Sequence, residues 1–394
     1  MNARRTLLEL FDAALHAVDG RASVERFIRT ADLSGRVEVM AVGKAATAMA
    51  HGARAALGAQ IERMLIITKD GHRDPAFDQI PAVMQLESSH PMPDVRSLSH
   101  GLELEERVRT LADDVLPLFL ISGGSSSLVD ALRDGVSLAD LWALNVHGLA
   151  CGWDIKTFNA ERVRLSRLKG GGIARLLHGR RALALFISDV PGDDPDVIGS
   201  GLLGRDSGQE DSIERQVVAS IEGAVSAVLD SGRAHGLRLE RPPGRFDGDV
   251  EAVAADFLAR LRGCESDGLV WGGESTVVLP PRHGHGGRNS HLALSMARQL
   301  RHTESWLLLC AGTDGTDGSS VDAGAIVDAR TIERAEIAGC DAERAWREFD
   351  SGSALEAAED LVHTGPTGTN VGDLLIAIKQ PATSLRGLPM PRML

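Results

Sequence analysis

Several turns in this chain carry residues able to handle phosphate or carboxylate. Val39-Met40-Ala41-Val42-Gly43-Lys44-Ala45-Ala46 reads as a strand, a glycine turn and a lysine opening an Ala-rich helix. A cation in a first helical turn opposes the helix dipole by a few tenths to about 1 kcal/mol, so Lys44 makes sense there if an anion shares the site. Lysine is also scarce: of 42 Lys plus Arg, only Lys44, Lys69, Lys156, Lys169 and Lys379 are lysine. The segment is not a Walker A loop, because the second glycine and the Lys-Ser/Thr ending are missing.

Ile121-Ser122-Gly123-Gly124-Ser125-Ser126-Ser127 follows an apolar run and precedes Leu128, Val129 and Leu132 at helical spacing. Small residues at a strand end expose backbone N–H groups and hydroxyls, so Ser122, Gly123, Gly124, Ser125 and Ser126 are candidates for holding phosphate or carboxylate. Lys169-Gly170-Gly171-Gly172 pairs a lysine with backbone that can come close to a ligand, or else forms a hinge. Ser188-Asp189-Val190-Pro191-Gly192-Asp193-Asp194-Pro195-Asp196 offers carboxylates for magnesium or for abstracting a hydroxyl proton. Asp189, nearest the strand end, is the first candidate and Asp193 the second; others among the four aspartates belong to turns. Gly199-Ser200-Gly201-Leu202-Leu203-Gly204 has dinucleotide-fingerprint spacing without the strand and helix that should flank it.

The second half supplies Gly272-Gly273-Glu274-Ser275-Thr276, Gly284-His285-Gly286-Gly287-Arg288-Asn289 and Gly312-Thr313-Asp314-Gly315-Thr316-Asp317-Gly318. Arg288 offers a planar fork for carboxylate or phosphate, or pairs with a neighbouring acid. Asp314 and Asp317 suit either cation ligation or Asx turns. His283, His285 and His291 lack ligand spacing and are expected to be solvated.

The elements that must position these turns are legible as alternation. Strand-like runs at Val37 to Val42, Met64 to Thr68, Val115 to Ile121 and Leu183 to Ser188 alternate with helical stretches at Ala45 to Leu57 and Leu102 to Leu111, which predicts an α/β domain with a mostly parallel sheet. An opening helix carries Leu7, Leu8, Phe11, Leu15 and Val18 at helical spacing. Later strands are expected at Leu269 to Gly272, Thr276 to Leu279, Trp306 to Cys310, Ala325 to Val327 and Leu374 to Ile378, with a helix from about Ser290 to Leu300 and a Pro-containing tail. A chain of 394 residues exceeds one core, and the turn-rich stretch Gly232 to Gly248 places the boundary near 240.

A formal charge of -13, with 25% charged residues, gives no positive field for nucleic acid and repels anionic membranes. No apolar run reaches the roughly 20 residues of a membrane span. Cys151, Cys264, Cys310 and Cys340 are scattered, which supports neither a disulfide framework nor a zinc site and fits the cytoplasm.

Taken together these segments resemble the class II glycerate 2-kinases, built from an N-terminal glycerate-kinase domain and a C-terminal MOFRL domain. The resemblance runs through Val42-Gly43-Lys44-Ala45-Ala46, Ser122-Gly123-Gly124-Ser125-Ser126, Leu168-Lys169-Gly170-Gly171, Ser188-Asp189-Val190, Gly272-Gly273-Glu274-Ser275-Thr276, Gly286-Gly287-Arg288-Asn289, Gly312 to Gly318, Ala323 to Asp328 and His363 to Val371. It implies ATP- and Mg2+-dependent phosphorylation of the 2-hydroxyl of D-glycerate in a cleft between two α/β domains with mostly parallel or mixed sheets, residues 1–240 and 241–394. It implies catalytic roles for Lys44, Asp189, Arg288 and Asp314. Contacts to substrate or ATP would come from Ser122, Gly123, Gly124, Ser125, Ser126, Lys169, Glu274 and Asn289, and metal ligation from Asp189, Asp193 and Asp317.

The expected partner is a small hydroxy acid, with no nucleic acid or membrane and with a homodimer allowed for. The chain departs from the family pattern at Ser125, where a glycine is usual, at Leu202, where a proline is usual, at Ser290-His291, in place of Gln-Glu, and at Phe349, in place of Asn. These changes leave open a kinase for a related hydroxy acid and a metabolite sensor without turnover; a nicotinamide-linked hydroxypyruvate reductase is a separate alternative, which would need NADH binding.

Overall fold

The computed structural model describes residues 2–380 apart from 32, 152, 154, 206–211, 301–304 and 319; the expected Pro-containing tail lies outside them. The chain forms two compact units, and neither is one continuous segment.

The first unit comprises Val18–Ser220 with Gly368–Val371. Its six strands are β1 (Arg36–Val42), β2 (Ile61–Lys69), β3 (Val83–Ser88), β4 (Val115–Ile121), β5 (Ala182–Ile187) and β6 (Ile213–Ala219). They lie in the order β3-β2-β1-β4-β5-β6, every pair parallel. β1 is buried along all but its first residue and β5 along its whole length, as expected of strands covered by helices on both faces. Met40, Val42, Leu65, Ile67, Phe119, Ile121 and Phe186 form the core of one face. The helix Val95–Arg109 starts at a reciprocal cap in which Asp94 accepts from the Ser97 N–H and the Ser97 hydroxyl accepts from Asp94.

The strand order reverses direction at β1 and β4. In an open parallel sheet, the carboxyl ends of strands at such a reversal leave a crevice where ligands bind. The register aligns Val42 with Ile121 and Ile121 with Phe186, so the turns after β1, β4 and β5 emerge side by side.

The second unit comprises Met1–Ala17, Ile221–Thr367 and Gly372–Leu394. Its strands are β7 (Leu239–Glu240), β8 (Phe246–Asp249), β9 (Gly268–Thr276), β10 (Trp306–Gly312), β11 (Gly324–Asp328), β12 (Leu361–Val362) and β13 (Asp373–Lys379). The sheet order is β12-β11-β10-β13-β9-β7, with β8 also on β9. β7 and β8 run parallel to β9, and the remaining pairs are antiparallel. Phe246, Phe257, Trp271, Leu292, Met296, Trp306, Leu308 and Leu375 share its core.

The opening helix, Ala3–Ala17, belongs to this second unit, where it packs on Ile221–Ala234. It buries Leu7, Leu10, Phe11 and Ala14, while Leu8 points outward. The units therefore divide at Ser220/Ile221, not near 240: β6 passes almost directly into a helix with no turn-rich linker, and Arg241-Pro242-Pro243-Gly244 is a turn inside the second unit. The two strands expected at Leu269 to Gly272 and Thr276 to Leu279 are one strand, β9, beyond which Val278 and Leu279 are exposed.

Candidate active site

In the first unit, the turns after β1 and β4 interlock. Gly43, at φ +134°, lies so close to Ser122 that a Cβ there would overlap the Ser122 hydroxyl and carbonyl. The Ser122 hydroxyl accepts from the Ala45 N–H (3.0 Å), and so caps the helix Ala46–Leu57, whose own N-cap, Ala45, has no capping side chain. The Lys44 N–H donates to the Gly123 carbonyl at 3.0 Å. Backbone thus fixes the half-buried Lys44 against the glycine-rich loop. Gly124, at φ +84°, has the Lys44 Cγ and the His90 ring each 3.1 Å from where its Cβ would be.

Asp189 leaves the end of β5 beside the same loop, directly over Gly123, and its Oδ2 accepts from Asn370 Nδ2 at 2.8 Å. Asn370 is held by its short segment: Thr369 Oγ1 donates to the Val18 carbonyl, and the Gly20 N–H donates to the Gly368 carbonyl. Asp193 follows a turn at Gly192 and is half-buried. Asp194 and Asp196 are turn residues, accepting from the N–H groups of Asp196 and Arg205.

Gly199-Ser200-Gly201 is a tight turn, not a strand-to-helix entry, and all three residues have positive φ. Gly199 sits against the Ser125 hydroxyl, and Ser200 Oγ is 2.6 Å from Ser126 Oγ. Its glycines therefore let it buttress the serine loop from below.

In the second unit, sheet register does the assembling. Asp373, the first residue of β13, lies opposite Gly273 of β9 and Gly312 of β10. It is buried and accepts from Arg288 Nε at 2.8 Å, and Glu274 pairs with the Arg288 Nη1 group. Burial works against the Arg288 charge, but Asp373 and Glu274 outweigh it and raise the pKa further above its ordinary value. Asp314 Oδ1 accepts from the N–H and hydroxyl of Thr316, an Asx turn directly after β10.

Asp317 has a different task from the metal ligation expected of it. Its carboxylate accepts from the N–H groups of Asn289 (2.9 Å) and Ser290 (2.7 Å) and from the Ser290 hydroxyl (2.7 Å). It caps the helix Arg288–Gln299, whose N-cap, Gly287, has no side chain to do so. Burial pushes its pKa up to about 6 against those hydrogen bonds. Asn289 is 1% exposed, and its Oδ1 has no hydrogen-bond partner among the described residues.

Residues 6–229 match a family model described as a domain of unknown function (DUF4147), and residues 268–373 match the MOFRL family. The D-glycerate 2-kinase of Thermotoga maritima is 34% identical, over 95% of this chain and 98% of its own length. The chain belongs to the class II glycerate 2-kinase family. A second family member, the glycerate 2-kinase of Pyrococcus horikoshii, is 28% identical over 98% of this chain and 99% of its own. The crystal structure of a glycerate kinase from Thermotoga maritima superposes with a TM-score of 0.83 at 30% identity, covering 96% of this chain and 99% of that one. A relative from Agrobacterium vitis, 33% identical over 86% of this chain and 98% of its own length, is named hydroxypyruvate reductase only provisionally.

Against the glycerate 2-kinase pattern, three expectations change. Lys169 is not a ligand-facing lysine: it is 1% exposed and ion-paired with Asp130, whose other oxygen accepts from Ser166 Oγ at 2.5 Å. Ser122 spends its hydroxyl on the helix start, so any anion contact there falls to the loop backbone. His291 is not solvated: its ring is buried, its Nδ1 lies 2.9 Å from Ser351 Oγ, and it stacks on Phe349 at 4.6 Å. Two departures from the family pattern, His291 and Phe349, thus pack on each other, and a third, Ser290, serves Asp317. Motif reading missed Asn370, His90 and Asp373. Asn370 lies within the matched segment His363 to Val371 and Asp373 two residues beyond it, but nothing local announces their partners.

Among the described residues, no group of three or more His, Cys, Asp or Glu is placed to hold a metal, and no helix is long and apolar enough to cross a membrane.

Proposed function

We propose that this chain is an ATP-dependent kinase that phosphorylates the 2-hydroxyl of D-glycerate to give 2-phosphoglycerate, as the names of its relatives suggest. The observation that carries this reading is the cluster at the strand-order reversal of the first sheet. There a lysine, a glycine-serine loop and a carboxylate emerge together from β1, β4 and β5.

Phosphoryl transfer asks the protein for alignment and for charge, not for covalent chemistry. Lys44, braced by the Gly123 carbonyl, supplies positive charge for the moving phosphoryl group. Asp189, with one oxygen held by Asn370, orients the acceptor hydroxyl and takes its proton. Arg288, held between Asp373 and Glu274, is a preorganised planar cation for a second anionic group, and Asp314 shapes the turn next to it.

The donor set fits magnesium of the kind that nucleotide phosphates already hold, needing one or two protein carboxylates. Asp189 and Asp193 are the carboxylates for that role; Asp317, already accepting three hydrogen bonds, is not. When bound, Mg2+ would neutralise charge on the nucleotide phosphates. Ser290 and His291 are engaged inside their own unit, which favours D-glycerate over an altered acceptor. A small-molecule partner in the cytoplasm suits this reading.

The test is to incubate the purified chain with Mg-ATP and D-glycerate, measure ADP, and add enolase without phosphoglycerate mutase. Phosphoenolpyruvate is the expected product, since enolase accepts the 2-phosphate. ADP without phosphoenolpyruvate would place the phosphate elsewhere, and no ADP would overturn the kinase reading.

A further inference from the structure

The helix Ile155–Leu165 carries a cation, Arg162, that makes no ion pair among the described residues. The Arg162 guanidinium packs over the Phe158 ring, 4.1 Å from its centroid, and burial lowers its pKa to about 10. Among the described residues its hydrogen bonds go to neutral acceptors: Nε and Nη2 to Asn145 Oδ1 (3.2 and 2.9 Å) and Nη1 to Ser126 Oγ (3.5 Å). The neighbouring carboxylate, Asp130, is already ion-paired with Lys169 and accepts from Ser166. The half-buried Arg162 and the buried Lys169 thus share one carboxylate. A desolvated guanidinium without a counter-ion is costly, and an arriving anion removes that cost.

The loop that Arg162 touches is also short of acceptors. Ser125 Oγ is fully buried and has no hydrogen-bond partner among the described residues. The N–H groups of Gly123, Gly124 and Ser126 have no backbone acceptor among them either. The hydroxyl directions around Ser126 are fixed. Ser200 donates to Asn159 Oδ1 at 3.0 Å, so Ser126 donates to Ser200 and accepts from Arg162. The guanidinium has five N–H donors, of which three are engaged among the described residues, leaving two.

We propose that Arg162 is an anion-binding residue of the serine loop, its two remaining N–H groups receiving an oxyanion group of a substrate, either the hydroxy-acid carboxylate or nucleotide phosphoryl oxygens. The role rests on the kinase reading above and assigns part of substrate recognition to a residue outside the glycine-rich motifs.

The test uses the full chain with Arg162→Gln and Arg162→Lys, varying D-glycerate and ATP separately. One KM is expected to rise at least ~10-fold in Arg162→Gln, as for loss of a charge-assisted contact, with kcat falling less. Arg162→Lys should recover part of the affinity, and it carries the test if the glutamine variant fails to fold. A rise confined to D-glycerate assigns the carboxylate and one confined to ATP assigns phosphoryl oxygens; either supports the proposal. Unchanged KM values for both in a folded variant overturn it, even if kcat drops. Should the wild-type chain turn over neither substrate, the kinase reading fails separately, and calorimetry with inorganic phosphate decides. Binding lost in Arg162→Gln upholds the anion site, and binding that is absent or unaltered rejects it.

Discussion

A methyl group on Gly123 would stand 1.8 Å from Oδ2 of Asp189 and 2.1 Å from Nδ2 of Asn370. The loop after β4 is therefore shaped to the carboxylate after β5, and no side chain can come between them. Backbone strain is not the reason, since Gly123 is not among the positive-φ glycines. Gly123→Ala should displace Asp189 and lower kcat at least ~100-fold, while costing about 1–3 kcal/mol of stability through overpacking. Steady-state kinetics beside urea denaturation separates the two effects. Wild-type turnover in this variant would show that the observed Asp189 position is not needed.

Lys44→Ala removes a charge while leaving the Lys44 N–H bond to Gly123 in place. Turnover should fall at least ~100-fold, on the scale of one lost transition-state contact, with circular dichroism and melting temperature close to wild type. A variant that stays active rules out Lys44 as the phosphoryl-stabilising group.

Lys169 should matter for stability before it matters for chemistry. Breaking a buried ion pair typically costs about 3–5 kcal/mol, so Lys169→Met should show that loss in denaturant unfolding. The double variant Lys169→Met/Asp130→Leu should recover much of it, because no uncompensated carboxylate remains. If Lys169→Met is as stable as wild type but binds substrate poorly, the lysine faces a ligand after all.

Asp317 makes a pH prediction whose sign follows from its raised pKa. The folded carboxyl holds its proton up to about pH 6, whereas the unfolded one releases it near the ordinary aspartate value of 3.8. The folded state binds more protons in that window, so stability falls as pH rises through it. The stability of wild type relative to Asp317→Asn should therefore decline between about pH 4 and 6 and level off above. A flat difference across this range would mean that the carboxylate is not desolvated.

His291 and Phe349 should be coupled energetically but silent in catalysis. Their stacked rings predict a coupling of about 0.5–1.5 kcal/mol in a double-mutant cycle with His291→Ala and Phe349→Ala. KM for D-glycerate should stay within about 2-fold of wild type in Phe349→Ala. A large KM change would return these departures from the family pattern to the substrate region.

What the sequence discloses tracks how local each cause is. Val42-Gly43-Lys44 and Ile121-Ser122-Gly123 announce strand ends and turns because apolar runs, glycines and serines act within a few residues, and both lie where expected. Lys44 and Lys169 have nearly the same local surroundings, a lysine beside glycine, yet one stands at the loop and the other is sealed against Asp130. Only the distant partner distinguishes them. His291 is expected to be solvated because His283, His285 and His291 lack ligand spacing, but that test says nothing of packing, and its neighbours in space are Trp346, Phe349 and Ser351. Asp373 escaped notice for a similar reason: antiparallel register, not proximity in sequence, puts it between Gly273 and Gly312.

The hydrogen bond between Asn370 and Asp189 joins residues 181 positions apart. At about 5–20 residues per second, a ribosome needs roughly 10–35 s to reach the amide after making the carboxylate. The six strands of the first sheet have all left the ribosome by then, yet the proton acceptor proposed for the reaction still lacks its partner. A nascent chain stopped between residues 190 and 369 holds the lysine, the loop and the aspartate without the finished arrangement, so the proposed proton acceptor is complete only once residue 370 has been made.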